Sequence, residues 1–157
     1  MSRLGKGALV AGVAGAALFL SMFLSWFGAA GLEAEFAEEN RELAERLGVD
    51  AGAAEDTTES GWSSMGWFGV GLIAIAIVCA VALAAVVYTR ASTSVPPALA
   101  TLACGIGALA FVVVLYRLVD PPGEGDVSRE IGVWLGLVAS AAIALGGWLG
   151  MQEESPT

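Results

Sequence analysis

Carboxylates are the most abundant reactive side chains in this sequence, and they are concentrated. The stretch EAEFAEENRELAERLG, residues 33–48, carries six glutamates: Glu33, Glu35, Glu38, Glu39, Glu42 and Glu45. Clustered carboxylates can share a proton for acid–base work, gather a cation, or solvate a surface. Glu38, Glu42 and Glu45 share a helical face. A straight helix spreads its carboxylates along its axis, whereas a tight calcium site needs oxygens converging from a turned loop. No metal site is therefore assigned to them, and a solvated face is expected. A second polar feature is Arg117 and Asp120 in YRLVDPPG, three residues apart. That spacing allows an ion pair across one helical turn. An interfacial arginine that snorkels to headgroup level and is locally neutralised explains it without a functional role.

The remaining inventory mainly excludes activities. The chain has no histidine, which removes imidazole-assisted nucleophiles, imidazole proton relays and the commonest metal ligand. Cys79 and Cys104 form no CxxC pair and read as small buried residues. A disulfide between them requires their helices to touch at the same depth. No P-loop and no Ser/Lys pair at catalytic spacing occurs. A four-helix multidrug exporter would carry a carboxylate in its first span, a quinone-linked thiol oxidoreductase a cysteine pair, and a claudin- or tetraspanin-like protein cysteines in its outer loop. None is found. We expect no catalytic residue, no cofactor and no metal, and a chain that is not an enzyme.

The elements that must position these groups are apolar. Of the 157 residues, 57% are hydrophobic and only 15% charged, against about a quarter charged in ordinary soluble domains. A membrane-spanning helix needs about 20 predominantly apolar residues. Segments 7–28, 67–89, 97–118 and 131–151 meet that length, and Arg117 is the one charged residue within them. Continuous apolar runs fit helices rather than the alternating strands of a barrel. The expected fold is an all-α integral membrane protein: one four-span domain over 1–157, a four-helix transmembrane bundle with an extramembrane helix between the first two spans. The first segment also resembles a signal peptide, with Arg3 and Lys6 ahead of it and Gly28-Ala29-Ala30 after it, but its apolar run exceeds the usual core of about 7–15 residues. An uncleaved first span is expected.

Charge sets the orientation. Arg3, Lys6 and Arg90 flank one side, and Arg41, Arg46, Arg117 and Arg129 the other. Arg41 and Arg46 stand far from any span, where the positive-inside rule is weak, and the flank of the first helix usually dominates. Both termini, including the tail at 152–157, are therefore placed in the cytoplasm of a plasma-membrane protein, with 29–66 outside. Residues 29–65 hold ten acids against two arginines. An outer face that acidic argues against nucleic-acid binding. Trp26, Phe27, Trp62, Trp67, Phe68, Tyr116 and Trp134 fall near the outer boundary, and Tyr88 and Trp148 near the inner one, as interfacial anchors do.

Helices in lipid associate through small residues that let backbones approach. The last span repeats Gly132, Gly136, Ser140 and Ala144, with a second row at Ala142, Gly146 and Gly150. The first has Ala8, Gly12 and Ala16, then Ala17, Ser21 and Ser25; the second Ala76, Ala80 and Ala84; the third Ala100, Cys104 and Ala108. The Gly132, Gly136 and Ser140 row is the leading candidate for helix packing, and Gly136→Leu is expected to weaken the fold or its association. Pro96 and Pro97 open the third span and Pro121 and Pro122 follow it, as punctuation.

Within the acidic stretch, Leu32, Phe36, Leu43 and Leu47 recur at helical spacing with Asn40 in the gap, so a helix over 32–47 is predicted, ending at Gly48. Glu42 precedes Arg46 by four, the favourable order for an ion pair. Residues 49–65 read as a flexible outer loop. The apolar stripe Leu32, Phe36, Leu43 and Leu47 is the candidate partner face. It could cover the mouth of the bundle, rest on the membrane or pair with a second copy.

Four pieces taken together, FLSMFLSWFG, SGW, YRLVDPPG and GVWLGLVAS, resemble a group of uncharacterised small four-span membrane proteins of high-GC Gram-positive bacteria. The resemblance covers the spans and misses the acidic helix. In that group a proline often precedes the tryptophan that closes the first helix; Ser25 stands there in this chain. It implies a four-span fold and carries over no site residue. The function expected is a non-enzymatic accessory or interaction subunit, with the lipid bilayer and a membrane-protein partner or a second copy as its partners. A passive transporter or channel component, working as an oligomer, is the alternative.

Overall fold

The structure is a computed structural model of the chain, and it describes residues 5–29, 32–48, 58–89, 97–122 and 127–153, without the side chains of residues 29, 32–37, 44, 97 and 153. The fold is mostly helical. In chain order it comprises α1 (Lys6–Ser21), β1 (Ser25–Ala29), α2 (Leu32–Leu47), β2 (Thr58–Ser60), α3 (Gly61–Ser64), α4 (Trp67–Thr89), α5 (Pro97–Val119), β3 (Val127–Arg129) and α6 (Ile131–Glu153). Three of these, α4, α5 and α6, are long and apolar enough to cross a membrane. Each has 23 residues, about 34 Å at the α-helical rise, against a hydrocarbon core of about 30 Å. Their observed limits fall within two residues of the predicted spans.

The first predicted span is corrected. A continuous helix over 7–28 does not form. α1 stops at Ser21 after 16 residues, about 24 Å; Met22, Phe23 and Leu24 turn, and the chain continues as a strand. The aromatic and β-branched bias that favours strands explains little here. The decisive factor is pairing on both edges of β1. β2 lies antiparallel on one side, with Phe27 opposite Glu59 and a bulge between Ser25 and Phe27, and β3 lies antiparallel on the other, with Phe27 opposite Arg129. Non-helical backbone near a membrane is tolerated where protein satisfies its polar groups, and a central strand does so. β2 and α3 likewise correct the expected loop over 49–65, whose first part, 49–57, lies outside the described residues.

The apolar helices pack in a cycle: α1 contacts α4 and α6, and α5 completes the ring against the same two. Leu18, Met22, Ile73, Leu83, Val114, Val133 and Ile143 are fully buried at its centre. Close approach comes from glycine and alanine. A Cβ at Gly146 would lie 2.6 Å from the Ala11 nitrogen and 2.8 Å from the Gly7 carbonyl oxygen, all backbone. On the other side of α6, a Cβ at Gly147 would lie 2.8 Å from the Ala100 carbonyl oxygen. Gly12 and Gly15 of α1 face Ala84 and Ala80 of α4. Ser21, Ser64 and Ser140 are buried, and each hydroxyl donates to the carbonyl three residues back, on Leu18, Gly61 and Leu137, so these three hydroxyls are paired within their own helices; the buried indole Nε1–H of Trp62 has no hydrogen-bond partner among the described residues.

Candidate functional site

The three strands and α3 build a cap over one end of the bundle, and Trp26 is its centre. The indole is fully buried. Its Nε1–H donates to the Ser21 carbonyl at 2.7 Å, which at the early end of α1 also accepts from the Leu24 backbone N–H at 3.1 Å. The ring is seated on three glycines. A Cβ at Gly61 would meet it at 2.7 Å, at Gly132 at 2.5 Å and at Gly136 at 2.8 Å. The Trp26 carbonyl accepts from the Glu130 backbone N–H at 2.9 Å. Phe27 is buried beside it. The expectation that Trp26 and Phe27 anchor at headgroup level is thus corrected: both belong to the core. Trp67, Phe68, Tyr88, Tyr116, Trp134 and Trp148 are exposed, as interfacial rings would be.

The candidate packing row is redistributed. Gly132 and Gly136 receive an aromatic side chain from a strand, not a neighbouring helix, and Ser140 is buried with its hydroxyl turned to its own helix. The glycines that admit helix backbone are Gly7, Gly107, Gly146 and Gly147.

Polar contacts tie the cap to the ends of α5 and α6. The Ser128 hydroxyl lies 3.2 Å from the Gly28 carbonyl and 3.0 Å from a Glu130 carboxylate oxygen, two acceptors that share its single proton. Arg129 Nε–H donates to the Leu118 carbonyl at 2.8 Å, a cation at the carbonyl end of α5 where the helix dipole favours it. Arg117 and Asp120, the candidate ion pair, form no salt bridge among the described residues. Asp120 instead accepts from the Tyr116 hydroxyl at 2.7 Å. Tyr116 stands four residues before Asp120 and offers a donor on the same face, which Arg117, at three, does not reach. Phe19, Phe23 and Trp62 form an edge-to-face aromatic cluster on the flank, with centroids 5.1 to 6.5 Å apart.

α2 is different in kind. Every residue of it whose side chain is described is exposed, Leu43 and Leu47 included. Leu32 and Phe36, the other half of the candidate partner face, lie among the side chains outside the description. Glu42 and Arg46 pair at 2.9 Å as their spacing predicts, fully in solvent, and Gly48 ends the helix at φ +63°, the left-handed conformation glycine adopts without strain. Cys79 and Cys104 are free thiols. Among the described residues no group of three or more acidic, cysteine or histidine side chains could hold a metal.

Set against protein-family models, curated proteins and solved structures, the chain matches none of them. Four separate sequence pieces converge in space at the cap. FLSMFLSWFG supplies Trp26, SGW supplies Gly61, and GVWLGLVAS supplies Gly132 and Gly136. YRLVDPPG supplies the Leu118 carbonyl that accepts from Arg129. Sequence reasoning missed this assembly. The signal available was a tryptophan followed by glycine-bearing pieces at three chain positions, and nothing local says that they meet.

Proposed function

We propose that the chain is a plasma-membrane protein that crosses the bilayer four times, α1 with β1 making the first crossing, with both termini in the cytoplasm. It acts as a non-enzymatic accessory or interaction subunit whose partner-facing element is α2, and its kinship with the small four-span proteins of high-GC Gram-positive bacteria belongs to the same proposal. The observation that carries it is the exposure of Leu43 and Leu47 on a helix whose described side chains are all exposed. Two leucines one turn apart on a charged helix form an anchor pair of the kind that helix-in-groove recognition reads. The centre of the bundle, closed by large apolar side chains, weighs against conduction through a single copy.

Photo-crosslinking residues at positions 43 and 47, introduced one at a time in native membranes, test this reading. The expected result is the same protein adduct from both positions and none from Glu38 or Glu45. Adducts to lipid alone would remove α2 as the interaction element. Accessibility of a cysteine at position 43 from outside, and of one at position 152 only after permeabilisation, tests the orientation.

A further inference from the structure

We propose that α2 docks into an apolar groove of a different protein, one whose rim carries lysine or arginine on the side that meets Glu39. The inference rests on the reading of α2 as the partner-facing element and adds the chemistry of what it meets. Helical geometry sets the charges around the two exposed leucines. At about 100° per residue, Leu43 and Leu47 stand about 40° apart, and Glu39 flanks Leu43 at about the same angle on the other side. Asn40 borders the opposite edge of the stripe, beside Leu47. Arg46 also lies on the Glu39 flank, but its guanidinium is paired with Glu42 at 2.9 Å. Glu38, Arg41 and Glu45 lie about 140–160° around the helix from Leu43. The leucines are thus bordered by one uncompensated carboxylate and one neutral amide, and the cation nearest to them is already neutralised.

Three other covers compete for this face, and exposure or charge disfavours each. The mouth of the bundle is not covered by it, because every described side chain of α2 is exposed. A bilayer surface recruits amphipathic helices through lysine and arginine on their polar face, whereas residues 32–47 carry six glutamates, two arginines and no lysine. A second copy offers the same acidic surface: ten acids against two arginines over 29–65, and Asp120, Glu124, Asp126 and Glu130 against Arg129 over 120–130. Like charges brought face to face oppose docking. A groove in another protein, with an apolar floor for Leu43 and Leu47 and a basic residue at its rim, complements the leucines and Glu39 together.

The full chain, with a photo-crosslinking residue at position 47, is irradiated in native membranes, and the yield of its protein adduct is compared across variants. The expected result is a fall of about two- to fivefold on Glu39→Gln, the span of one exposed ion pair, and a larger fall on Glu39→Lys, where like charges would face each other. Glu45→Lys makes the same charge change on the far side of the helix and leaves the yield unchanged. Raising the salt from about 0.1 to about 1 M, which shortens the screening length from about 10 to about 3 Å, brings the unaltered chain toward the Glu39→Gln yield. In the partner, the cross-linked peptide is expected to be apolar with lysine or arginine beside it. Yields indifferent to both Glu39→Lys and salt, or lowered equally by Glu45→Lys, overturn the proposal, and so does an adduct between two copies of the chain. Adducts to lipid alone from positions 43 and 47 defeat the reading of α2 itself, whereas a protein adduct indifferent to charge defeats the basic rim alone.

Discussion

The two ends of α6 use small residues for different purposes. Toward its C-terminal end, Gly146 and Gly147 lie back to back, one admitting the backbone of α1 and the other the backbone of α5. Toward its N-terminal end, Gly136 admits the indole of Trp26, and Gly132 admits the indole together with the Ser25 carbonyl oxygen, both carried by β1. The first arrangement is a helix–helix contact of the small-residue type. The second is a socket. One spacing in one helix thus serves two partners that differ in how far they can yield, because a backbone fixed by its own hydrogen bonds moves less than a ring. Packing near a socket should be adjustable, and packing between two helix backbones should not.

The largest test of the comparison is removal of the ring. Trp26→Ala empties the socket and removes one of the two donors to the Ser21 carbonyl, leaving the Leu24 N–H. The expected loss is about 3–5 kcal/mol, the range for a large buried aromatic replaced by alanine, read from unfolding in mixed micelles of mild detergent and dodecyl sulfate. Stability equal to that of the unaltered chain would mean that the cap is an appendage to the bundle and not part of its core.

Gly146→Ala and Gly136→Ala sharpen the contrast. Both insert one methyl group into space closed at under 3 Å. At Gly146 the obstacle is backbone, and a loss in the overpacking range of about 1–3 kcal/mol is expected. At Gly136 the obstacle is the edge of Trp26, so a smaller loss is expected, and Gly136→Leu displaces the ring outright. Combining Gly136→Ala with Trp26→Phe should recover part of the cost, a coupling of about 0.5–3 kcal/mol between touching residues. Combining Gly146→Ala with Trp26→Phe should be additive within about 0.5 kcal/mol. Equal coupling in both pairs would erase the distinction between socket and helix contact.

What the sequence disclosed follows the range of the interactions. α4, α5 and α6 were legible because length and continuous apolarity are local properties, and α2 because its stripe and its i,i+4 ion pair lie within sixteen residues, with the terminal glycine directly after them. The end of α1 was not legible. The run from Gly7 to Gly28 has no proline or charge to stop it; the stop is imposed by strands from residues 58–60 and 127–129. The packing rows were partly legible for a geometric reason. A strict fourth-residue repeat advances about 40° around a helix at each step, so its members cannot all face one neighbour. In α5 the predicted Ala100, Cys104 and Ala108 row drifts from buried to half-buried to exposed, and the buried line is Ala100, Ala103, Gly107, Ala110 and Val114. Arg117 and Asp120 were sensible partners by spacing and charge. The hydroxyl of Tyr116, one residue earlier, was a competitor that pairwise reasoning about charges leaves out.

The smallest expected effect lies one turn beyond Gly146 and reverses its sign. Gly150 belongs to the same predicted row, but a Cβ there would lie 3.4 Å from the Ala100 Cβ, an ordinary contact distance. Nothing in the backbone of α1 or α5 obstructs it. Glycine within a helix costs about 0.5–1 kcal/mol relative to alanine through backbone freedom. Gly150→Ala is therefore expected to be neutral or stabilising by up to about 1 kcal/mol, in the same micellar unfolding measurement. Opposite signs at Gly146 and Gly150, four residues apart on one helix, would show that backbone proximity decides which small residues the fold requires, and the repeat does not. A loss at Gly150 comparable to that at Gly146 would mean that α6 packs more closely on α5 near its end than the Ala100 distance allows.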